Sequence, residues 1–337
     1  MILFQPKRVI FENAALEYKT GKKIMEYFKH KDVELLFSKS GRITQIPGNT
    51  ASEMYFESKN TLVVGIRKSY EFQSCKPSAH YQLPLVSGCM GMCEYCYLNT
   101  RMGKKPYTKV YVNIDEILNR ADKYIEEKLP GITVFEGAAT SDPIPVEPYT
   151  GNLSKCIIHF GKSKNGYFKF VTKFTDVDNL LSLNHNGKTT VRFSINTDKI
   201  ISEFEHGTPK LKDRINAAVK VIDAGYNVGF IIAPVFLNPN WETEYRDIID
   251  KIGNNFSDSP ITFEIISHRF TKKAKENILT VYPKTMLPME EEIRKFKYGQ
   301  FGYGKYVYKD DELNYMKEFF KENIEKYFDK SSIKYII

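Results

Sequence analysis

Three of the five cysteines of this 337-residue chain, Cys89, Cys93 and Cys96, fall within eight residues, in the run Ser87-Gly88-Cys89-Met90-Gly91-Met92-Cys93-Glu94-Tyr95-Cys96-Tyr97-Leu98. The spacing C-x3-C-x2-C constrains the chain more than any other feature, because three thiolates on so short a segment must wrap one centre. Iron in an iron–sulfur cluster is held by cysteine thiolates, and four of them close a [4Fe–4S] site. Three leave one iron open to chelate a small molecule. Zinc is the competing reading of C-x2-C, but such a site normally needs a second ligand pair further along. Cys75 and Cys156 stand alone, and the six histidines are scattered. A disulfide needs an oxidising compartment, and nothing in the chain points to export.

The length suffices for one large α/β domain with an appended piece. Apolar residues make up 42% and charged residues 27%, the balance of a globular protein. No apolar stretch reaches the roughly 20 residues of a membrane span, so no membrane partner is expected. The start, Met1 to Arg8, lacks the basic-then-apolar order of a signal peptide. A cytoplasmic address follows, where thiols stay reduced. The net charge of +8 is compatible with a polyanionic partner without establishing one.

Residues 1–80 read as an irregular α/β extension, with strands at Lys7–Glu12 and Thr61–Gly65, a helix at Thr20–Phe28 and a polar loop at Ser38–Ser52. From residue 81, apolar and β-branched runs recur at Tyr81–Val86, Ile132–Phe135, Phe168–Thr172, Thr190–Ser194, Val228–Pro234 and Ile261–Ser267. Between most of them lie helical patterns: Asn113–Lys128, opened by an asparagine cap, Pro209–Ala224 and Pro239–Ile252. Six strands alternating with helices predict parallel βα units over 81–292. Chemistry in such barrels sits at the C-terminal ends of the strands. The cysteine loop follows the first strand, Ser141 the second, Lys173 ends the third, Ser194 the fourth and Ala233 the fifth. A hydroxyl or an ammonium there suits a carboxylate or a ribose; plain strand-end capping is the alternative.

Residues 293–337 break the rhythm. Two alternating polar and aromatic runs flank a glycine-rich centre, Gly299 to Gly304, which predicts a β-hairpin, and a charged amphipathic helix follows over 311–328. Arg294, Lys295, Lys297 and Lys305 interleave with Phe296, Tyr298, Phe301, Tyr303 and Tyr306. Cations meet phosphates and aromatic groups wedge between bases, so the hairpin is a candidate DNA contact. Arg269, after the sixth strand, is placed to meet a substrate phosphate. A solvated charged flap is the competing reading.

The cysteine triplet, with an aromatic residue before its third member, resembles the signature of the radical S-adenosylmethionine enzymes, whose partial six-stranded βα barrel fits the strand count. Three segments narrow the resemblance: Cys75-Lys76-Pro77-Ser78 through Leu98, then Thr140-Ser141-Asp142-Pro143, and Gln300-Phe301-Gly302-Tyr303-Gly304-Lys305-Tyr306-Val307-Tyr308. Together they resemble the spore photoproduct lyase family over essentially the whole chain. The resemblance implies a DNA repair lyase of spore-forming bacteria, acting in the spore core on ultraviolet-damaged double-stranded DNA. Its substrate would be the methylene-bridged thymine dimer, 5-thyminyl-5,6-dihydrothymine. A 5′-deoxyadenosyl radical, made from S-adenosylmethionine at a [4Fe–4S] cluster, would take a hydrogen atom from C6 of the dihydrothymine. The enzyme would be a monomer served by a one-electron reductant of the flavodoxin or ferredoxin type.

Carried over position by position, the resemblance implies that Cys89, Cys93 and Cys96 hold the cluster and that Ser141, Lys173, Ser194 and Ala233 line the S-adenosylmethionine site. Tyr95 and Tyr97 would relay a hydrogen atom; packing beside the cluster is the alternative. Arg269, Lys295, Lys297, Tyr298, Tyr303 and Lys305 would meet DNA. One position departs from the family, which places a hydrogen-donating cysteine where this chain has Ala139. Either the cysteine has been replaced by engineering to trap substrate, or another donor serves, such as Tyr97 or Cys75. Turnover of the chain as it stands is expected to be impaired. Two other readings stay open: a radical S-adenosylmethionine enzyme with a non-DNA substrate, and a non-catalytic DNA-damage-binding metalloprotein. A brown, oxygen-sensitive holoprotein excludes the second, and duplex binding argues against the first.

Overall fold

The computed structural model describes residues 4–39, 41–98, 102–137, 139–298, 304–329 and 332–337. Helices α1 (Lys19–Lys29) and α2 (Ala51–Lys59) accompany a five-stranded sheet. Its strands run β2 (Glu34–Ser38), β1 (Arg8–Glu12), β3 (Thr61–Gly65), β8 (Thr108–Tyr111) and β6 (Val86–Ser87). All pair in parallel except β6 on β8. Every residue of β1 and β3 is buried, as parallel strands covered on both faces require. Two strands of this sheet, β6 and β8, come from beyond residue 80.

The second sheet carries the six expected strands in order: β5 (Ala79–Gln82), β9 (Thr133–Glu136), β10 (Gly166–Thr172), β11 (Thr189–Ile195), β13 (Asn227–Val235) and β14 (Thr262–Ser267). All pair in parallel. β17 (Ile333–Ile336) adds a parallel edge next to β14, and β4 (Ser74–Cys75) an antiparallel edge next to β5. The first strand is shorter than its apolar run: β5 ends at Gln82, Pro84 follows, and Val86–Ser87 crosses to the other sheet. Proline has no N–H to give a ladder, so the exchange falls where pairing must break.

Side chains alternate between the two faces of each strand. Phe135, Phe168, Phe170, Val191, Phe193, Val228, Phe230, Phe263 and Ile265 are all 0–1% exposed. This face packs on the helices α3 (Ile114–Glu126), α4 (Asn152–Lys162), α5 (Asp198–Phe204), α6 (Leu211–Asp223) and α7 (Trp241–Phe256). Burying each such side chain contributes about 1.5–3 kcal/mol. The alternate positions carry Glu136, Lys169, Arg192 and Glu264. Arg192 on β11 donates to Glu136 on β9 and to Glu264 on β14 at 2.9 Å, although neither strand is its neighbour in the sheet. Such bonds require the sheet to curl, so these residues face the lumen of a half-barrel. Tyr335 of β17 donates to Glu264 at 2.5 Å and closes one edge.

Asn113 stands at the N-cap of α3, but its side chain makes no cap bond. It instead accepts from the Arg67 amide at 2.8 Å and donates to the Arg67 carbonyl at 3.0 Å, tying α3 to the chain leaving β3. Helix α2 begins inside the stretch read as a loop to residue 52; Thr50 and Glu53 form a capping box there. Helix α8 (Lys272–Val281) follows β14. The hairpin pairs β15 (Lys295–Tyr298) with β16 (Gly304–Val307), and helix α9 (Asp310–Ile324) comes after it.

Candidate active site

The cysteine loop leaves the barrel sheet through Gly88, which bridges Ser141 and donates to the Thr140 carbonyl at 3.0 Å. Gly88 has a φ of +79°, and a Cβ there would lie 2.2 Å from the Tyr107 carbonyl oxygen. Only glycine fits. The loop's middle is fixed by β7 (Met92–Cys93), which pairs with β12 (Glu205–His206). Burial pushes the Cys89 thiol up to about 12 and the Cys93 thiol up to about 11. Each of these thiols is also within electrostatic reach of Cys96. Such thiols keep their protons until a metal displaces them. Among the described residues no three His, Cys, Asp or Glu side chains already converge as the ligands of a bound ion would. The donor set suits an iron–sulfur cluster in chemistry: three neighbouring thiols on a partly buried loop, with Lys59 and Lys173 nearby.

Lys173, just past β10, reaches this loop. Its ammonium donates to the Tyr95 hydroxyl at 2.6 Å, lies 2.6 Å from Glu205 Oε1 and 3.7 Å from Cys93 Sγ. Tyr95 in turn donates to Glu205. Arg214 of α6, wholly buried, donates to Glu205 Oε2 at 2.6 Å and to the Ser194 carbonyl at 2.9 Å. Burial alone would push the Glu205 carboxyl up. The Lys173 ammonium and the Arg214 guanidinium outweigh it and hold the group at about 2. One buried anion therefore ties the cysteine loop, the third strand and α6 together. The Tyr95 phenol is raised well above its usual range, by burial first and then by Glu205.

Asp142 performs the same service for the second strand's loop. It accepts from the Thr172 hydroxyl at 2.8 Å, the Lys173 amide at 2.8 Å and the Ile144 amide at 3.2 Å. Burial still pushes its carboxyl up, to about 6. The neighbouring Ser141 hydroxyl is buried with no hydrogen-bond partner. Orphaned buried hydroxyls are rare, and this one stands at the strand-end level with Lys173 and Ser194. A ligand carrying a carboxylate and hydroxyls fits the set. Ala233, on β13 at the same end, offers backbone and little bulk.

Tyr97 is half exposed, and its hydroxyl donates to the Ala139 carbonyl at 2.5 Å. The phenol thus lies against residue 139, the position where the resemblance implies a thiol. Cys75, on the edge strand β4, lies within electrostatic reach of the lumen residues Arg192, Lys169 and Glu264. Burial raises its thiol, and the two cations partly offset this. Cys156 is buried in α4.

The hairpin is fastened to the barrel mouth through an antiparallel bridge between Phe270 and Tyr306, whose rings stack 5.2 Å apart. Lys297 and Lys305 face each other across it. Burial, then Arg269 and Lys297, lower the Lys305 ammonium. Like charges set opposite one another cost stability, so this face is suited to an anion. Tyr298 is 76% exposed. Lys295 is exposed but paired with Asp310. Arg294 does not belong to the DNA-facing row: it is buried, donates to the His268 carbonyl at 3.2 Å and lies 3.5 Å over the Tyr308 ring. Tyr303 lies outside the described residues.

Sequence reasoning gave no role to Glu205, Arg214 or Lys59. Glu205 and Arg214 act across the fold, and no local pattern marks them. Lys59 ends α2, and its ammonium donates to the Cys89 carbonyl at 2.8 Å.

The model of the spore photoproduct lyase family matches residues 4–337. The chain is 56% identical over 331 residues to a spore photoproduct lyase of Clostridium acetobutylicum, covering 98% of each. It is 46% identical over 336 residues to that of Bacillus subtilis, again covering 98% of each. A solved spore photoproduct lyase complexed with dinucleoside spore photoproduct superposes with a TM-score of 0.95 at 43% identity, covering 99% of both chains. A doubly substituted variant with bound AdoMet and dinucleoside spore photoproduct gives 0.95 at 44%, with the same coverage.

Proposed function

This chain belongs to the spore photoproduct lyase family, and from that membership we propose how its residues perform the family's reaction. The chain is a radical S-adenosylmethionine lyase with a partial βα barrel. It reverses the methylene-bridged thymine dimer of ultraviolet-damaged DNA to two thymines. When bound, the cluster and S-adenosylmethionine supply the 5′-deoxyadenosyl radical that takes a hydrogen atom from C6 of the dihydrothymine. The protein's task is to bind, orient and shield.

Cys89, Cys93 and Cys96 hold the cluster. Lys173 and the orphaned Ser141 hydroxyl bind the amino-acid end of S-adenosylmethionine or its ribose, with Ser194 and Ala233 completing the wall. The observation that carries this assignment is Ser141, a buried hydroxyl without a partner at the strand end beside the cysteine loop. Glu205 keeps Lys173 aimed. Lys297, Lys305 and Arg269 neutralise phosphates while Tyr298 and Tyr303 fill the gap left by a flipped lesion; flipping costs less at a damaged step. Lys295, already paired, adds less. The binding is to duplex DNA and largely independent of sequence.

Once the bridge breaks, a thymine radical needs a hydrogen atom, and Ala139 has none to give readily. The Cys75 thiol, within electrostatic reach of the lumen residues, is the donor this chain offers: its S–H bond breaks, the thymine C–H bond forms, and a thiyl radical remains. Tyr97, seated against Ala139, gives the hydrogen atom of its O–H to the thiyl radical, Tyr95 would refill Tyr97, and the 5′ C–H of 5′-deoxyadenosine would refill Tyr95. A one-electron reductant of the flavodoxin or ferredoxin type feeds the cluster, and the enzyme acts as a monomer in the spore core. No helix among the described residues is long and apolar enough to cross a membrane.

An anaerobic assay of iron-reconstituted protein with dithionite, S-adenosylmethionine and the dinucleoside dimer, read by mass spectrometry, tests the reading. Cleaved S-adenosylmethionine together with repaired thymine is the expected result. Cleaved S-adenosylmethionine with the dimer untouched rejects the substrate, and a colourless protein rejects the cluster.

A further inference from the structure

Lys59 is 2% exposed, yet it makes no ion pair among the described residues. The other two cations of the site, the half-buried Lys173 and the buried Arg214, share the Glu205 carboxylate. Lys59 has a single hydrogen bond, to the Cys89 carbonyl at 2.8 Å, and the Tyr55 ring 5.4 Å from its Nζ. Burying an ammonium on one neutral acceptor is costly.

The surroundings keep this charge dry. Tyr55 and Tyr282 meet edge-to-face 5.5 Å apart, their hydroxyls are 3.2 Å apart, and Tyr282 donates to the Met92 carbonyl at 3.0 Å. Helices α2 and α8 thereby wall off the cysteine loop on the side from which Lys59 enters. Three thiolates outweigh the positive charge of the oxidised cluster core, and one-electron reduction adds a further negative charge. A fixed cation behind Cys89 stabilises both states, and the reduced one more, because the attraction grows with the charge it meets.

We propose that Lys59 is a positioning residue of the iron–sulfur site, whose ammonium supplies the counter-charge for the cluster and raises its reduction potential. The inference rests on the cluster reading above. It gives the N-terminal extension a part in the reaction: the helix before β3 sets how readily the cluster accepts its electron from the reductant. Net charge and hydrogen bonds to a cluster's ligands are recognised determinants of such potentials.

The test is an electron-paramagnetic-resonance redox titration of the anaerobically reconstituted holoprotein beside Lys59→Met, Lys59→Gln and Lys59→Arg. Glutamine keeps a neutral donor toward the Cys89 carbonyl, and arginine keeps the charge. We expect at least a tenfold smaller reduced-to-oxidised ratio at fixed potential in the Met and Gln variants, a fall of about 59 mV, with Arg restoring the wild-type value. An unchanged potential in Met and Gln overturns the proposal, since the bond to Cys89 would then be merely structural. If Lys59→Met does not fold or load, the Gln and Arg pair decides: a low value in Gln restored in Arg supports it, and equal values overturn it. Loss of the cluster in all three variants also overturns it. A wild-type protein without a cluster signal instead refutes the cluster reading itself.

Discussion

Replacing Lys297 and Lys305 together by alanine strips the hairpin of two facing cations, and the salt dependence of DNA binding reports the loss. Each phosphate neutralised on duplex DNA contributes about −0.9 to the slope of log affinity against log salt. Lys297, Lys305 and nearby Arg269 therefore supply about −2.7, which alone weakens binding about 40-fold between 50 and 200 mM salt. With Arg269 left, the hairpin's share is about −0.9, a weakening of about 3.5-fold over the same range. Contacts elsewhere add equally to both proteins, so the predicted quantity is the difference, about 1.8. Fluorescence anisotropy of a duplex carrying one methylene-bridged dimer, titrated at several salt concentrations, measures it. The double variant should melt no lower than the wild type, because the substitutions remove a like-charge pair rather than a bond. Lys295→Ala, which frees Asp310 instead of exposing a phosphate, should shift the slope less. A slope unchanged by the double substitution refutes the hairpin as the phosphate contact.

Three further outcomes follow from the site. Glu205→Gln leaves the buried Arg214 and the half-buried Lys173 without their anion and should cost about 3–5 kcal/mol in urea unfolding. The Glu205 carboxyl is held at about 2, below the usual value of about 4.3. Its stabilisation is therefore complete above about pH 4.3 and lost as pH falls toward the folded value, so the variant should lack this acid-sensitive part; an identical acid limb would contradict the pairing. Gly88→Ala forces a Cβ onto the Tyr107 carbonyl, and iron bound per chain after reconstitution should fall well below wild type. Asp142→Ala takes the acceptor from the Lys173 and Ile144 amides and leaves the Thr172 hydroxyl with only the Phe174 backbone. Losing about 1.4 kcal/mol of that bonding is a tenfold change, which should appear as a higher KM for S-adenosylmethionine.

The barrel was legible because its strands are short apolar runs of β-branched and aromatic residues separated by helical periods, and period-2 burial makes Phe168, Phe170, Val191 and Phe193 visible in one dimension. The hairpin was legible from its glycine-rich centre. The polar lumen was not: Glu136, Arg192 and Glu264 meet across strands that are not neighbours, so no local window contains the network. The same holds for Glu205 with Lys173 and Arg214. Helix α2 did leave a signal, threonine at 50 with glutamate at 53, but a glycine and a proline just before it favoured a loop. Ser141 stood out as a strand-end hydroxyl, whereas the absence of any partner for it is a property of the folded chain. Arg294 looked like its basic neighbours in sequence, and the stacked Tyr308 ring explains why it is buried instead.

By the mechanism proposed above, this chain repairs the methylene-bridged thymine dimer with a donor other than residue 139. The most direct test of that mechanism is mass spectrometry of dinucleoside dimer turned over anaerobically by the wild type, Cys75→Ala and Ala139→Cys, in deuterated and ordinary water. Clean thymine from the wild type, lost or diverted to adducts in Cys75→Ala, with deuterium entering the repaired thymine through the exchangeable thiol, is the predicted result. Clean repair by Ala139→Cys alone, with Cys75→Ala indistinguishable from the wild type, would contradict it.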